Sequence, residues 1–167
     1  MRTYSHGVIA YLLYAKGSSR QRWLAAAGGV LPDVFIGTGF IFHVAEPRTS
    51  LPIVAQLHAL LHHSELHTIT VALHSFLLAG PLLALAWLFY RAAAPFFVGM
   101  LSHAVVDFLT HRTWAYNHFY PVPLPPVRGV VSYTDPVFTV VEHAALLLLV
   151  VWFVGRRMRT STARGAA

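Results

Sequence analysis

The stretch "MLSHAVVDFLTHR" (100–112) spaces His103, Asp107 and His111 by four residues each. At 3.6 residues per turn that spacing draws one stripe along a helix. An imidazole and a carboxylate one turn apart can share a metal ion, with neighbouring groups supporting both. The rest of the stretch is apolar, and an ionisable side chain in a bilayer costs about 2.5–3.5 kcal/mol on insertion scales. Polar residues kept in such a place call for a use. Similar spacing occurs in "LHALLHHSELH" (57–67), where His58, His62 and His63 or His67 fall on neighbouring turns. Asp33 follows Leu-Pro inside an apolar run, His6 lies in a short apolar segment, and His74 and His143 lie in longer ones.

The chain has eleven histidines, six carboxylates and no cysteine, which excludes thiolate sites and disulfides. A His and Asp donor set suits zinc first, and also manganese or iron(II). Zinc with an open coordination position brings the pKa of water down to about 7, which is the chemistry of hydrolysis. Taken singly, these residues have plainer readings. His143 reads as a helix-packing residue and His74 as either packing or ligand; His43, His58, His118 and Glu142 read as interfacial. Trp114, Tyr116, Phe119 and Tyr120 suit an aromatic belt in an ordered, Pro-rich loop over 113–136. The accumulation at helical ligand spacing is what points to metal.

Elements must position these groups, and composition says which kind. Hydrophobic residues make up 56% and charged residues 11%, with a mean hydropathy of +0.59. Soluble domains carry roughly 25% charged residues, so the chain reads as a membrane protein. Four segments are apolar enough to approach the ~20 residues that a crossing needs: 23–42, 69–90, 92–111 and 137–155. The runs 6–15 and 51–67 read as short interfacial or re-entrant helices. Pro32 and Pro81 fall inside expected spans, where local kinks are tolerated.

The net charge of +6 follows topology rather than a nucleic-acid partner. With the C-terminal tail in the cytoplasm, Lys16, Arg20, Arg22, Arg91, Arg156, Arg157, Arg159 and Arg164 share that side, as the positive-inside rule requires. The connections 43–68 and 112–136 then face outward, at the depth of His103, Asp107 and His111. The N-terminus lacks a clear cleavage site and is not read as a removed signal peptide. The expected organisation is a helical membrane domain over 1–155, carrying the metal site, and a basic tail over 156–167.

The order of the polar elements resembles the YdjM-like, LexA-regulated family of membrane-bound metal-dependent hydrolases. The pieces are His6, "LPD" with Asp33, "HHSELHT" (62–68), "GMLSHAVVDFLT" (99–110) and "FYP" (119–121). The likeness covers roughly residues 6 to 121. It implies His6, Asp33, His62, His67, His103 and Asp107 as metal ligands, and it is distantly similar to zinc-dependent phospholipase C. Phe35 stands where the family element has a second Asp, His63 where it has Arg, and Thr68 where it has Ser.

The expectation is thus an all-α polytopic protein of the plasma (inner) membrane, with about four spans and one or two short helices. It binds one divalent metal, most simply zinc, and hydrolyses a phosphoester or lipid-linked substrate near the outer interface, with His111 or His63 as general base. Its partners are membrane lipids and a small-molecule or lipid substrate. The other classes are a proton- or metal-ion-coupled transporter, and a non-catalytic metal or haem protein using a facing pair such as His74 and His103.

Overall fold

The computed structural model describes residues 1–45, 65–113 and 115–165. They form six helices: α1 (Thr3–Leu13), α2 (Ser19–Ala45), α3 (Glu65–Leu73), α4 (Phe76–Phe89), α5 (Ala94–Thr110) and α6 (Pro136–Gly165). Among the described residues there is no strand, only an isolated bridge between His111 and Ser132. The chain is all-α.

Small residues set the core. α2 packs most extensively on α5 and on α1, and glycine makes the first contact possible. A Cβ on Gly28 would stand 1.8 Å from the Phe96 carbonyl oxygen, and one on Gly99 2.0 Å from that of Ala25. Neither position has room for a methyl group, so the two backbones touch, as in helix pairs built on small residues. Ala10, Ala25 and Ala104 are fully buried beside them. Close approach of this kind lets side chains of one helix reach main-chain groups of the next.

The span expected over 69–90 is broken. α3 and α4 meet at His74–Ser75 and bend by 53°. The cause is local: Ser75 is extended and its hydroxyl accepts the Leu77 N–H at 3.1 Å, an N-cap that starts α4 afresh. Pro81 and Pro32, the expected kink sites, lie inside helices that continue through them. The loop after α5 braces the break. His118 donates its Nδ1–H to the His74 carbonyl at 2.9 Å and accepts the Phe76 N–H on its own carbonyl at 2.8 Å. Ser75 Oγ donates to the Tyr120 carbonyl at 2.6 Å. Irregular backbone among apolar helices is tolerated where other protein groups satisfy it.

The segment 137–155 lies within α6, which runs on through 156–165 as helix. Residues 136–159 of it are long and apolar enough to cross a membrane, with hydropathy 2.3 and 6% of the most apolar window buried. α3 from His67 with α4 passes the same test only as a bent pair, and α5, apolar but of 17 residues, is shorter. α6 is held to α1 by polar contacts. Arg2 pairs with Glu142 at 2.7 Å and donates to Thr139 at 3.0 Å. Ser5 donates to Glu142 at 2.5 Å, and Tyr4 donates its O–H to His143 Nε2 at 2.5 Å. Tyr11 meets Phe153 edge-on at 5.8 Å further along, so the two helices run parallel.

Candidate metal centre

Four side chains from three places converge in the core. Asp33 comes from α2, His103 and Asp107 from one face of α5, and His74 from the α3–α4 break. One donor atom from each lies within 4.8 Å of all the others. His74 Nε2 is 3.0 Å from His103 Nε2 and 3.3 Å from Asp107 Oδ2. His103 Nε2 is 3.1 Å from Asp107 Oδ2. Asp33 Oδ1 stands a little off, 3.6 Å from His74 Nε2 and 3.7 Å from His103 Nε2. Ligands bonded at 2.0–2.1 Å to a tetrahedral zinc ion are about 3.3 Å apart. The donors of His74, His103 and Asp107 therefore stand near that spacing, and Asp33 stands a few tenths of an ångström wider of the two histidines.

The hydrogen bonds around the cluster show which atoms could face a cation. His103 Nδ1 is 2.7 Å from the Gly29 carbonyl, and His74 Nδ1 is 2.7 Å from the Thr70 carbonyl. A carbonyl only accepts, so both Nδ1 atoms carry hydrogen, and either ring in its neutral form presents an Nε2 lone pair inward. Two lone pairs 3.0 Å apart, beside two carboxylate oxygens, repel unless positive charge lies between them. A proton shared between the two nitrogens would relieve that pair, and the Met1 amine already pairs with Asp107 Oδ1 at 2.8 Å. A divalent ion would meet all four donor atoms at once. The Nδ1–carbonyl bonds are also the usual outer support of metal-binding imidazoles, and Thr3 Oγ1 supplies the same to Asp33 Oδ2 at 2.7 Å.

Asp107 is the hub, with 1% of its surface exposed. Its Oδ2 faces the cluster and its Oδ1 faces away from it. His6 Nε2 lies 3.0 Å and His111 Nδ1 3.2 Å from Oδ1, and the Met1 amine donates to it at 2.8 Å. His6 stacks on His103 with centroids 3.7 Å apart. Despite the short approach to Asp107, neither ring nitrogen of His6 has a partner with hydrogen-bond geometry. His111 Nδ1 also lies 3.2 Å from the Asp107 carbonyl, and must donate there.

The wall beside the cluster is aromatic. Tyr116 lies 4.6 Å from His74 and 5.4 Å from His111, centroid to centroid. Burial, reinforced by the carboxylates of Asp107 and Asp33, pushes its phenol well up, so it stays protonated. On its far side a cavity of about 240 Å³ is lined by His67, Thr68, Asn117 and Tyr120 among others. His118 is lowered, chiefly by burial, and stays neutral.

Of the ligands expected from sequence, Asp33, His103 and Asp107 come together, and His6 joins them through Asp107. His67 stands on the cavity wall and is not one of the four converging donors. His62 and His63 lie outside the described residues. His111, expected as a base, is turned onto Asp107. His74 was read from sequence as either packing or ligand, and it is the fourth donor. Its signal was the pair His74–Ser75, a capping residue in mid-run, which marks a helix start where a continuous span was expected. No protein family, curated protein or solved structure matches the chain.

Proposed function

We propose that Asp33, His74, His103 and Asp107 hold one divalent cation, zinc in the simplest case, in a polytopic membrane protein. We further propose that the protein is a metal-dependent hydrolase of the YdjM-like kind, acting on a phosphoester or lipid-linked substrate. The observation that carries the reading is the facing pair His74 Nε2 and His103 Nε2 at 3.0 Å, each ring already committed through Nδ1 to a backbone carbonyl. Bound there, the ion supplies Lewis acidity, polarising a phosphoryl or carbonyl oxygen and making water more acidic.

The protein's own residues divide the remaining work. His74, His103 and Asp107 form a tight set, 3.0 to 3.3 Å apart. Asp33 is the looser member, with 13% of its side chain exposed where the others have 2% or less. A catalytic site needs one position that protein atoms do not fill; with His74, His103 and Asp107 holding the ion, Asp33 would be the group to leave it open. Its Oδ1 would then accept a proton from water while Thr3 holds Oδ2. We assign the base role to Asp33 rather than His111, whose Nδ1–H orients Asp107. Tyr116, a neutral phenol, touches His74 and lines the adjoining cavity, where the substrate would sit with its polar group toward the cluster.

A haem between His74 and His103 would need a macrocycle in a space that the two rings and two carboxylates close around one ion. Transport differs from hydrolysis in its consequence, not in its ligands, so it is tested alongside. Tag-free protein in mild detergent is analysed for metal by mass spectrometry, then for hydrolysis of phosphoesters and lipids, and in proteoliposomes for metal flux. The expected outcome is one ion per chain, lost in His103→Ala/Asp107→Ala. Asp33→Asn keeps the ion and loses hydrolysis. Absence of metal from folded wild-type protein sinks the reading; metal with flux and no hydrolysis turns it into a transporter.

A further inference from the structure

A second site lies at the other end of the α1–α6 pair. The turn after α1, the start of α2 and the end of the apolar part of α6 enclose a cavity of about 520 Å³. Its walls include Lys16, Arg22, Trp152, Phe153, Arg156 and Arg157. Four cations thus face one space, and among the described residues no carboxylate lines it. Glu142, the acidic residue of α6, precedes Arg156 by fourteen positions, about 21 Å of helix, and Asp33 and Asp107 belong to the metal cluster. A cavity walled by this many cations favours an anion.

The cavity is also built, not just lined. Arg22 is 4% exposed. Its Nη1 donates to the Gly17 carbonyl, its Nε donates to the Tyr11 hydroxyl at 3.2 Å, and its guanidinium lies over the Tyr11 ring. Those bonds fix a buried guanidinium at the cavity wall. On the opposite wall Arg156 stacks over Trp152 at 5.3 Å and Arg157 over Phe153 at 5.1 Å. Planar guanidinium groups held by aromatic faces are suited to phosphate oxygens, which they bind through two parallel N–H bonds.

We propose that this cavity binds a phosphate group, and that its source is the headgroup of an anionic phospholipid. The phosphate follows from the cations. The lipid source follows from the wall: Trp152 lines the cavity and is exposed, as are its neighbours Val151 and Val154 on α6, so an acyl chain leaving the cavity would run along an apolar helix. Basic pockets next to membrane helices bind anionic headgroups in this manner. The lipid source rests on the membrane reading of α6; the phosphate site does not, and neither depends on hydrolysis at the metal centre.

The test uses full-length, delipidated protein in neutral detergent. Native mass spectrometry compares retention of phosphatidylglycerol with phosphatidylcholine, and metal content is measured on the same samples. Wild type is expected to favour phosphatidylglycerol by on the order of ten-fold. Arg156→Gln/Arg157→Gln is expected to abolish that preference with metal content unchanged. Should the double variant not fold, Arg156→Gln alone gives the same readout, since Arg156 is exposed. Inorganic phosphate that displaces the lipid at millimolar concentration supports the shared phosphate chemistry. Phosphate binding without lipid preference overturns the lipid source. Equal retention by wild type and variant, with no response to phosphate, overturns the site. Loss of metal without loss of lipid preference would strike the hydrolase reading and leave this one standing.

Discussion

α5 and α6 are both apolar helices, and they serve opposite ends. α5 carries Gly99, His103 and Asp107 on one stripe, with the glycine against α2 and the two polar groups fully covered. α6 has no charged side chain between 144 and 155, and Val137, Val140 and Leu148 are 73%, 70% and 69% exposed. Hydropathy alone would rank α6 as the more deeply buried helix. The reverse holds, because what draws a helix inward here is a row of small and hydrogen-bonding residues. Apolar side chains gain little by leaving lipid for protein, whereas close backbone packing and satisfied polar groups gain something.

The contrast predicts a graded response to substitution, read as metal content and as the unfolding midpoint in detergent. Asp107→Ala should do most. It empties the hub between His6, His74, His103 and His111, abolishes metal binding and costs about 3–5 kcal/mol. Gly99→Ala comes next at about 1–3 kcal/mol or more, since its Cβ would meet the Ala25 carbonyl at 2.0 Å. A midpoint equal to wild type would show that α2 and α5 are not in backbone contact. Glu142→Gln weakens the clasp to α1, at about 1–2 kcal/mol, while metal content stays as it was. Metal loss in that variant would mean that α6 shapes the centre after all. Leu148→Ala should fall within about 0.5 kcal/mol of wild type. A cost of several times that would place a partner on the exposed face of α6.

Much of the centre was legible in sequence, for a physical reason. His103 and Asp107 sit one helical turn apart, so spacing alone places them together. Asp33 and His6 lie on other helices, and only the order of motifs tied them to that pair. His67 was expected as a ligand, yet the donor delivered from its helix is His74, seven residues further on. The separation of His62 and His67 describes positions along a chain; which histidine reaches the core depends on where the helix stops. Hydropathy windows average across such a stop, so 69–90 read as one span. The all-α class follows from composition and periodicity, and the structure agrees. The packing that carries α2 onto α5 was hidden in "AAAGG", where small residues look like weak helix formers and act as a contact surface.

The brace at His74 has a temporal consequence. The backbone at the break is tied to the loop by bonds from His118 to the His74 carbonyl and from the Ser75 hydroxyl to the Tyr120 carbonyl, and both loop residues are synthesised more than forty positions later. During synthesis the break therefore exists before the bonds that brace it. A nascent chain that ends short of residue 118 lacks both braces. They form only when the aromatic loop folds back. The geometry of the α3–α4 break is thus completed late in synthesis rather than when its own residues emerge.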